Sequence, residues 1–240
     1  MNRKDVSKIS LKSEVRSQKT KDFLDKKLMT RQQQLATDSA AGFPPFLRGN
    51  KAMMHILNPW KTYNDIDNPI EVLSHFSEDI ITEITNTLLS GLKSINIKLK
   101  EGFTIDKITP KLIFKWNSSE NHFDDIIKIK VARILWTKLL TPFNPKNQES
   151  LQLTSYFITK KNTNNLDNIT TNTIQGLSGV FAGVEILDTQ TQINNFLQHE
   201  INITKTIDPW AGSFELEKQT EDLANKAWEI IQEKLNQQNN

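Results

Sequence analysis

The sequence predicts an α/β fold built on a parallel sheet, and three observations carry that reading. Strand-like runs alternate with helical patterns along the chain, an order that calls for parallel strands joined by right-handed crossovers. The helical stretches are long and repeat apolar residues every three or four positions. The 240 residues are 37% hydrophobic and 24% charged, enough to bury an ordinary core in one large domain or two small ones.

Taken in order, residues 1–40 are rich in Lys, Arg, Gln and Ser and predict a flexible basic arm with a short helix over Phe23 to Leu35. Asp5, Glu14, Asp22 and Asp25 interrupt the basic run, which argues against a transit peptide. Phe43-Pro44-Pro45-Phe46 and Asn58-Pro59-Trp60 force extended backbone, so 41–70 reads as a laid-down segment. Glu71 to Ser90 reads as a helix with Leu73, Phe76, Ile80, Ile84 and Leu88 on one face, ended by Gly91. Lys93 to Lys100 alternates like a strand, with Ile95, Ile97 and Leu99 set against Asn96, Lys98 and Lys100.

Lys111 to Asn117 is the second predicted strand, with Leu112, Phe114 and Trp116 on one face. Phe123 to Leu140 follows as a helix, stopped by Pro142 and Pro145. A third strand spans Leu151 to Ile158. A loop to Asp167 leads into a helix carrying Ile169, Ile174, Leu177 and Phe181. Val184 to Leu187 is a short fourth strand, and Ile193 to Ile201 a further helix. Asp208-Pro209 and Gly212 mark a turn. Thr220 then caps a last helix from Glu221, which shows Leu223, Ala227, Ile231 and Leu235 on one side.

Composition excludes several classes of function. A formal net charge of +2 leaves no electrostatic footprint for nucleic acid or anionic membrane. With no cysteine in the sequence, disulfides, thiolate catalysis and Cys-ligated metal are out, and a reducing cytoplasm is the expected setting. No apolar run reaches the length of a membrane span. His55, His75, His122 and His199 stand isolated, so no metal site is expected.

Two stretches have wording more particular than their periodicity. They are GFPPFLRGNKAMMHILNPW from Gly42 to Trp60, and TKTIDPWAGS from Thr204 to Ser213. Together they resemble the opening and the end of the catalytic barrel in the methylmalonyl-CoA mutase family, closest to a shortened small, non-catalytic subunit. That family has an eight-stranded α/β barrel threaded by an acyl-CoA, followed by a cobalamin-binding domain. The resemblance sets Leu92 to Lys100 as the first barrel strand, PKLIFKWN from Pro110 as the sixth, LQLTSYFI from Leu151 as the seventh and GVEILDTQ from Gly183 as the eighth. It therefore implies a partial (β/α)8 TIM-type barrel of four parallel strands in the order 6-7-8-1, with helices on the convex side. Residues 41–240 would form this truncated domain, without a cobalamin-binding domain. Asn96, Lys98, Lys111, Lys115, Gln152, Thr154 and Glu185 would share the substrate-facing side.

The same resemblance shows changed chemistry. The family's cobalamin-ligating Asp-x-His-x-x-Gly motif does not occur in this sequence. Its coenzyme A-gripping Arg-Pro-Trp-Thr-Ile-Arg-Gln-Tyr becomes Asn58 to Asp65, so Asn58 and Tyr63 replace phosphate-pairing arginines and Asp65 replaces a tyrosine. Lys111 stands for an arginine, Ile113 for a serine, and Tyr156 and Ile158 for a histidine and a glutamine. Gln175 and Gly176 correspond to a glutamate and an alanine beside the cobalamin ring. The resemblance thus implies no catalytic, cofactor-binding or metal residues, and leaves Met54, Asn96 and Lys111 as a vestigial substrate-binding set. Lys98, Lys111, Lys115 and Lys51 are a second candidate group, a basic bowl for coenzyme A phosphates.

The implied role is a non-catalytic small subunit, in the cytoplasm and away from membrane and nucleic acid. It would associate with a catalytic subunit of the isomerase interconverting methylmalonyl-CoA and succinyl-CoA, or with itself through open sheet edges. Adenosylcobalamin would enter only through the catalytic partner. The alternatives are a degraded relative that binds acyl-CoA weakly, or one with no activity.

Overall fold

Pro69, preceded by Asn68 in the left-handed region (φ 49°), leads the chain into its first strand, Ile70–Leu73 (β1). The computed structural model describes residues 66–75, 77, 79–160, 165–201, 203 and 208–239, all within the compact unit Gly49–Asn240. The predicted N-terminal arm and the extended segment up to residue 65, with Lys51 and Met54, lie outside the described residues.

Helix α1 then runs over Ile80–Lys100. The structure corrects two expectations here: the helix predicted from Glu71 opens instead as a strand, and the strand predicted over Lys93 to Lys100 is the end of α1. Asp79 explains the true start, because its carboxylate accepts from the Ile81 and Thr82 amides as an N-cap. Ile84, Leu88, Leu92 and Ile95 are buried in an unbroken helical stripe. Ile97 is 50% exposed, so the alternation of Ile95, Ile97 and Leu99 does not mark a sheet face. Gly91 does not stop the helix. A Cβ there would meet the Phe114 ring at 2.7 Å, so glycine is kept for close approach at a cost of about 1 kcal/mol in helix propensity.

The remaining elements are β2 (Leu112–Asn117), α2 (His122–Leu140), β3 (Thr154–Ile158), α3 (Asn165–Ala182), β4 (Ile186–Asp188), α4 (Thr191–Asn195), a π turn over Phe196–Glu200, and α5 (Phe214–Asn239). The third strand begins three residues later than predicted, because Gln148–Leu151 forms a 3-10 turn ahead of it. The last helix begins seven residues earlier than predicted. Thr220 is not its cap but an interior residue whose hydroxyl donates to the Leu216 carbonyl at 2.7 Å. The start is fixed upstream, where Gly212 (φ 84°) donates its amide to Glu217 Oε1 at 2.9 Å.

The four strands form one parallel sheet in the order β1-β2-β3-β4. Phe114 lies against Trp136 of α2 at 4.7 Å between ring centroids and against Gly91 of α1. Phe157 and Leu187 lie against Gly179 of α3. These strand residues share one face by register, so the three long crossover helices cover a single side. A doubly wound sheet would carry helices on both sides. Strands in sequential order with helices on one side are the arrangement of a (β/α)8 barrel, of which this is a part.

β2, β3 and β4 occupy the places that the resemblance gave to the sixth, seventh and eighth barrel strands. The order 6-7-8-1 is corrected in its last member, because Leu92 to Lys100 is helical and β1 pairs with β2, not β4. The four strands are consecutive both along the chain and across the sheet.

Helix α2 is the hub of the helical layer. Ile126, Ile127, Ile129, Val131, Ala132, Leu135, Trp136, Leu139 and Leu140 are all buried, more than one side of a helix can hold. The helix touches α1, α3 and α5, and a helix enclosed on every side is apolar all round. Helix α5 supplies Leu216, Ala224, Ala227 and Ile231 to the core, with Leu223, Trp228 and Leu235 packed against it.

Candidate functional site

In a parallel barrel the chemistry gathers at the carboxyl ends of the strands and on the face turned away from the helices. Register identifies that face here as Glu71 and Leu73 on β1, Ile113, Lys115 and Asn117 on β2, Thr154, Tyr156 and Ile158 on β3, and Ile186 and Asp188 on β4. One polar chain crosses all four strands. Lys115 Nζ pairs with Glu71 Oε1 at 2.7 Å and sits 5.3 Å from the centroid of the Tyr156 ring. The Tyr156 hydroxyl donates to Asp188 Oδ2 at 3.0 Å. Acid, cation, phenol and acid follow one another across the face, with Glu71 and Lys115 as an ion pair and Asp188 held by a neutral hydroxyl.

The residues predicted from sequence do not converge on this face. Asn96 is on the exposed side of α1. Lys111 ends the 3-10 turn before β2, at the amino end of the sheet, and Met54 is outside the described residues. The basic bowl is not assembled either. Lys98 is in α1 and pairs with Glu101 at 2.7 Å, while Lys115 is held by Glu71. Of the residues expected to share the substrate-facing side, Lys115 and Thr154 do. Glu185 instead precedes β4 on the helix side, bound to Arg133 at 3.1 Å and to the Ser155 amide at 2.6 Å. Arg133 also donates to the Ala182 and Gly183 carbonyls, which fixes the entry to β4.

Below the carboxyl ends of β1 and β2 lies a buried charge cluster that no sequence pattern marked. Lys128 of α2 reaches Glu83 of α1 at 3.3 Å, Asp125 at 3.4 Å and the Asn117 carbonyl at 2.9 Å. All three charged residues are almost wholly buried. Burial pushes the Glu83 and Asp125 carboxyls above their ordinary range, against the opposing pull of Lys128. Asp125 also accepts from the Ser119 amide at 2.9 Å, so the cluster holds the loop that follows β2.

Two of the described histidines, His75 and His122, play positioning roles. His75, just after β1, shares a hydrogen bond with Ser90 Oγ at 2.8 Å, and its amide donates to Thr87 Oγ1. His122 Nδ1 lies 2.6 Å from Ser178 Oγ. Ser178 is 1% exposed, and the pair ties α2 to α3. Among the described residues, no group of His, Asp and Glu is arranged to hold a metal ion.

Gln175 and Gly176, which the resemblance would set beside a corrin ring, do not fit that task. Gln175 is buried; its carbonyl accepts from the Lys160 amide at 2.9 Å and its NH2 donates to Ser119 O at 3.3 Å. It ties the loop after β2 to the loop after β3. A Cβ on Gly176 would meet Leu197 at 3.1 Å. Both positions are absorbed into packing.

Comparison with known proteins bears on this geometry. The sequence matches the family described as methylmalonyl-CoA mutase over residues 74–237. Similar relatives include a methylmalonyl-CoA mutase large subunit of Streptomyces virginiae, 31% identical over 63% of this chain and 24% of its own length. The large subunit of Propionibacterium freudenreichii subsp. shermanii is 32% identical over 63% and 24%. The human mitochondrial methylmalonyl-CoA mutase is 32% identical over 65% and 24%. This chain thus spans only about a quarter of those relatives. No helix among the described residues is long and apolar enough to cross a membrane. With the matched region running from the end of β1 to near the end of α5, and with four parallel strands backed by helices on one side, this chain belongs to the methylmalonyl-CoA mutase family.

Proposed function

We propose that this chain is a non-catalytic member of its family, which associates with a cobalamin-carrying catalytic subunit of the isomerase interconverting methylmalonyl-CoA and succinyl-CoA. The observation that carries the reading is the fate of the changed positions. Gln175 is hydrogen-bonded into two loops, Gly176 is packed under Leu197, and Tyr156 is bound to Asp188. Radical chemistry needs a closed site that excludes water and holds a thioester. Here those positions hold the fold together while the scaffold persists. Adenosylcobalamin, on this reading, is supplied by the partner. The relatives named as large subunits support a multi-subunit setting.

The test is size-exclusion chromatography with light scattering on this chain, a catalytic mutase subunit, and their mixture. The expected result is a stable mixed complex. Separate elution at micromolar concentrations would overturn the subunit reading and leave the alternative, a degraded relative.

A further inference from the structure

We propose that Glu83 is the proton-accepting member of the buried Glu83–Asp125–Lys128 cluster, and that its protonation tightens the carboxyl ends of β1 and β2 as the medium turns mildly acidic. The cluster has two acids for one cation, and all three side chains are at most 4% exposed. One negative charge is therefore left over away from solvent, and taking up a proton removes it at the least cost. The cluster also joins the parts that meet there. Glu83 belongs to α1, and Asp125 and Lys128 belong to α2. Lys128 holds the Asn117 carbonyl at the end of β2, and Asp125 holds the Ser119 amide in the loop that follows.

The hydrogen bonds decide which acid takes the proton. Both Asp125 oxygens accept from the Ser119 amide, at 2.9 and 3.0 Å, in addition to facing the Lys128 ammonium. A carboxylate held by a backbone N–H keeps its charge more easily. The Glu83 oxygens take two long bonds of 3.3 Å from Lys128. Both acids sit in the first turn of their helices, so the helix dipole favours neither. Ser74, just after β1, also acts on Glu83, and its hydroxyl oxygen is buried without a hydrogen-bond partner, free to accept from a protonated Glu83. Burial raises the Glu83 carboxyl against the pull of Lys128. An acid raised in this way adds stability that is complete below its unfolded value and lost as pH rises through its folded one. The clamp is thus firm in mild acid and looser above. The other charged groups nearby are engaged elsewhere or open to solvent. Asp79 caps α1, the His75 ring is bonded to Ser90, and Lys234 of α5 donates to Asn86. Asp124 is partly exposed, and Glu120 is 94% exposed beside Lys160.

The experiment uses the full chain, with carbon-13 in the glutamate side-chain carboxyls or, separately, in the aspartate ones, followed by NMR from about pH 8 to about pH 5. One glutamate signal should titrate above all the others and be missing from Glu83→Gln. The Asp125 signal, identified by its loss in Asp125→Asn, should stay at its ionised position until lower pH. Opening the loop after β2 lets water reach the cluster and releases the Glu83 proton. Exchange of the Ser119 amide, corrected for the intrinsic effect of pH, should therefore gain protection on acidification, by up to about tenfold per pH unit. That gain should be absent in Glu83→Gln and present in His75→Gln, which removes the neighbouring imidazole. An Asp125 signal that titrates above that of Glu83, or Ser119 protection in the native chain that does not change with pH, would overturn the proposal. So would a gain that survives Glu83→Gln or vanishes in His75→Gln. If Glu83→Gln does not fold, the native titrations still decide, since Glu83 and Asp125 are the buried acids among the described residues. The outcome is independent of whether a catalytic subunit binds.

Discussion

Lys128→Met should cost about 3–5 kcal/mol of folding stability at neutral pH, because it strands two buried carboxylates that share one cation. Glu83 and Asp125 both lie within 3.4 Å of Lys128 Nζ. Methionine restores most of the volume, so the loss is electrostatic and not a cavity. The pH dependence follows from the raised carboxyl pKa values. A carboxyl whose folded pKa lies above its unfolded value adds stability that is complete below the unfolded value and is lost as pH rises through the folded one. Removing the cation pushes both carboxyls further up. The cost of Lys128→Met should therefore shrink as pH falls toward the unfolded carboxylate range, about 4. Adding Glu83→Gln should recover part of the loss at neutral pH. Urea denaturation at several pH values checks this. A cost below about 1 kcal/mol, or one that does not fall on acidification, would show that the cluster is not what joins α1 and α2 to the end of β2.

Trp136→Ala should destabilise the chain by about 3–5 kcal/mol, the range for removing a fully buried aromatic. Trp136 has no exposed surface and stands edge-on to Phe114 at 4.7 Å and 71°. A Cβ built on Gly91 of α1 would come within 3.2 Å of it. Sheet, α1 and α2 meet at this point, and neighbours already pressed together cannot fill the void. Trp136→Phe should cost clearly less. Equal losses for the two variants would mean that the ring's polar atom, and not its bulk, sets the stability.

The parts legible in sequence are those where local pattern and tertiary burial agree. Leu112, Phe114 and Trp116 alternate, and all three face the helices, so β2 was readable. The same holds for α2, although its burial on all sides reflects a covering helix more than 70 residues later in the sequence. The first strand was hidden because Ile70–Leu73 is four residues long and its Leu73 falls at helical spacing from Phe76 and Ile80. In the C-terminal half of α1, two periods fit the same residues, and only burial of Leu92 and Ile95 with exposure of Ile97 separates them. Phe123, Ile169 and Ile174 have helical spacing yet remain exposed, since apolar type does not fix which way a residue turns.

Less of the site was readable, for a reason of distance. Tyr156 stood out as a replacement, but its partner Asp188 lies 32 residues away, and Glu83 meets Lys128 across 45. Such pairs have no local period. Asn96 and Lys111 were placed by alternation within strands; once one strand became a helix and the other started at Leu112, both left the face.

The measurement that tests the central claim most directly is methylmalonyl-CoA turnover with adenosylcobalamin, by this chain alone and with a catalytic subunit added in excess of its own binding needs. The account predicts no turnover by the chain alone, and turnover only in fractions that contain the catalytic subunit. Turnover by the purified chain alone would contradict it, because positions bonded into the fold as Gln175 and Tyr156 are would then have to serve the reaction.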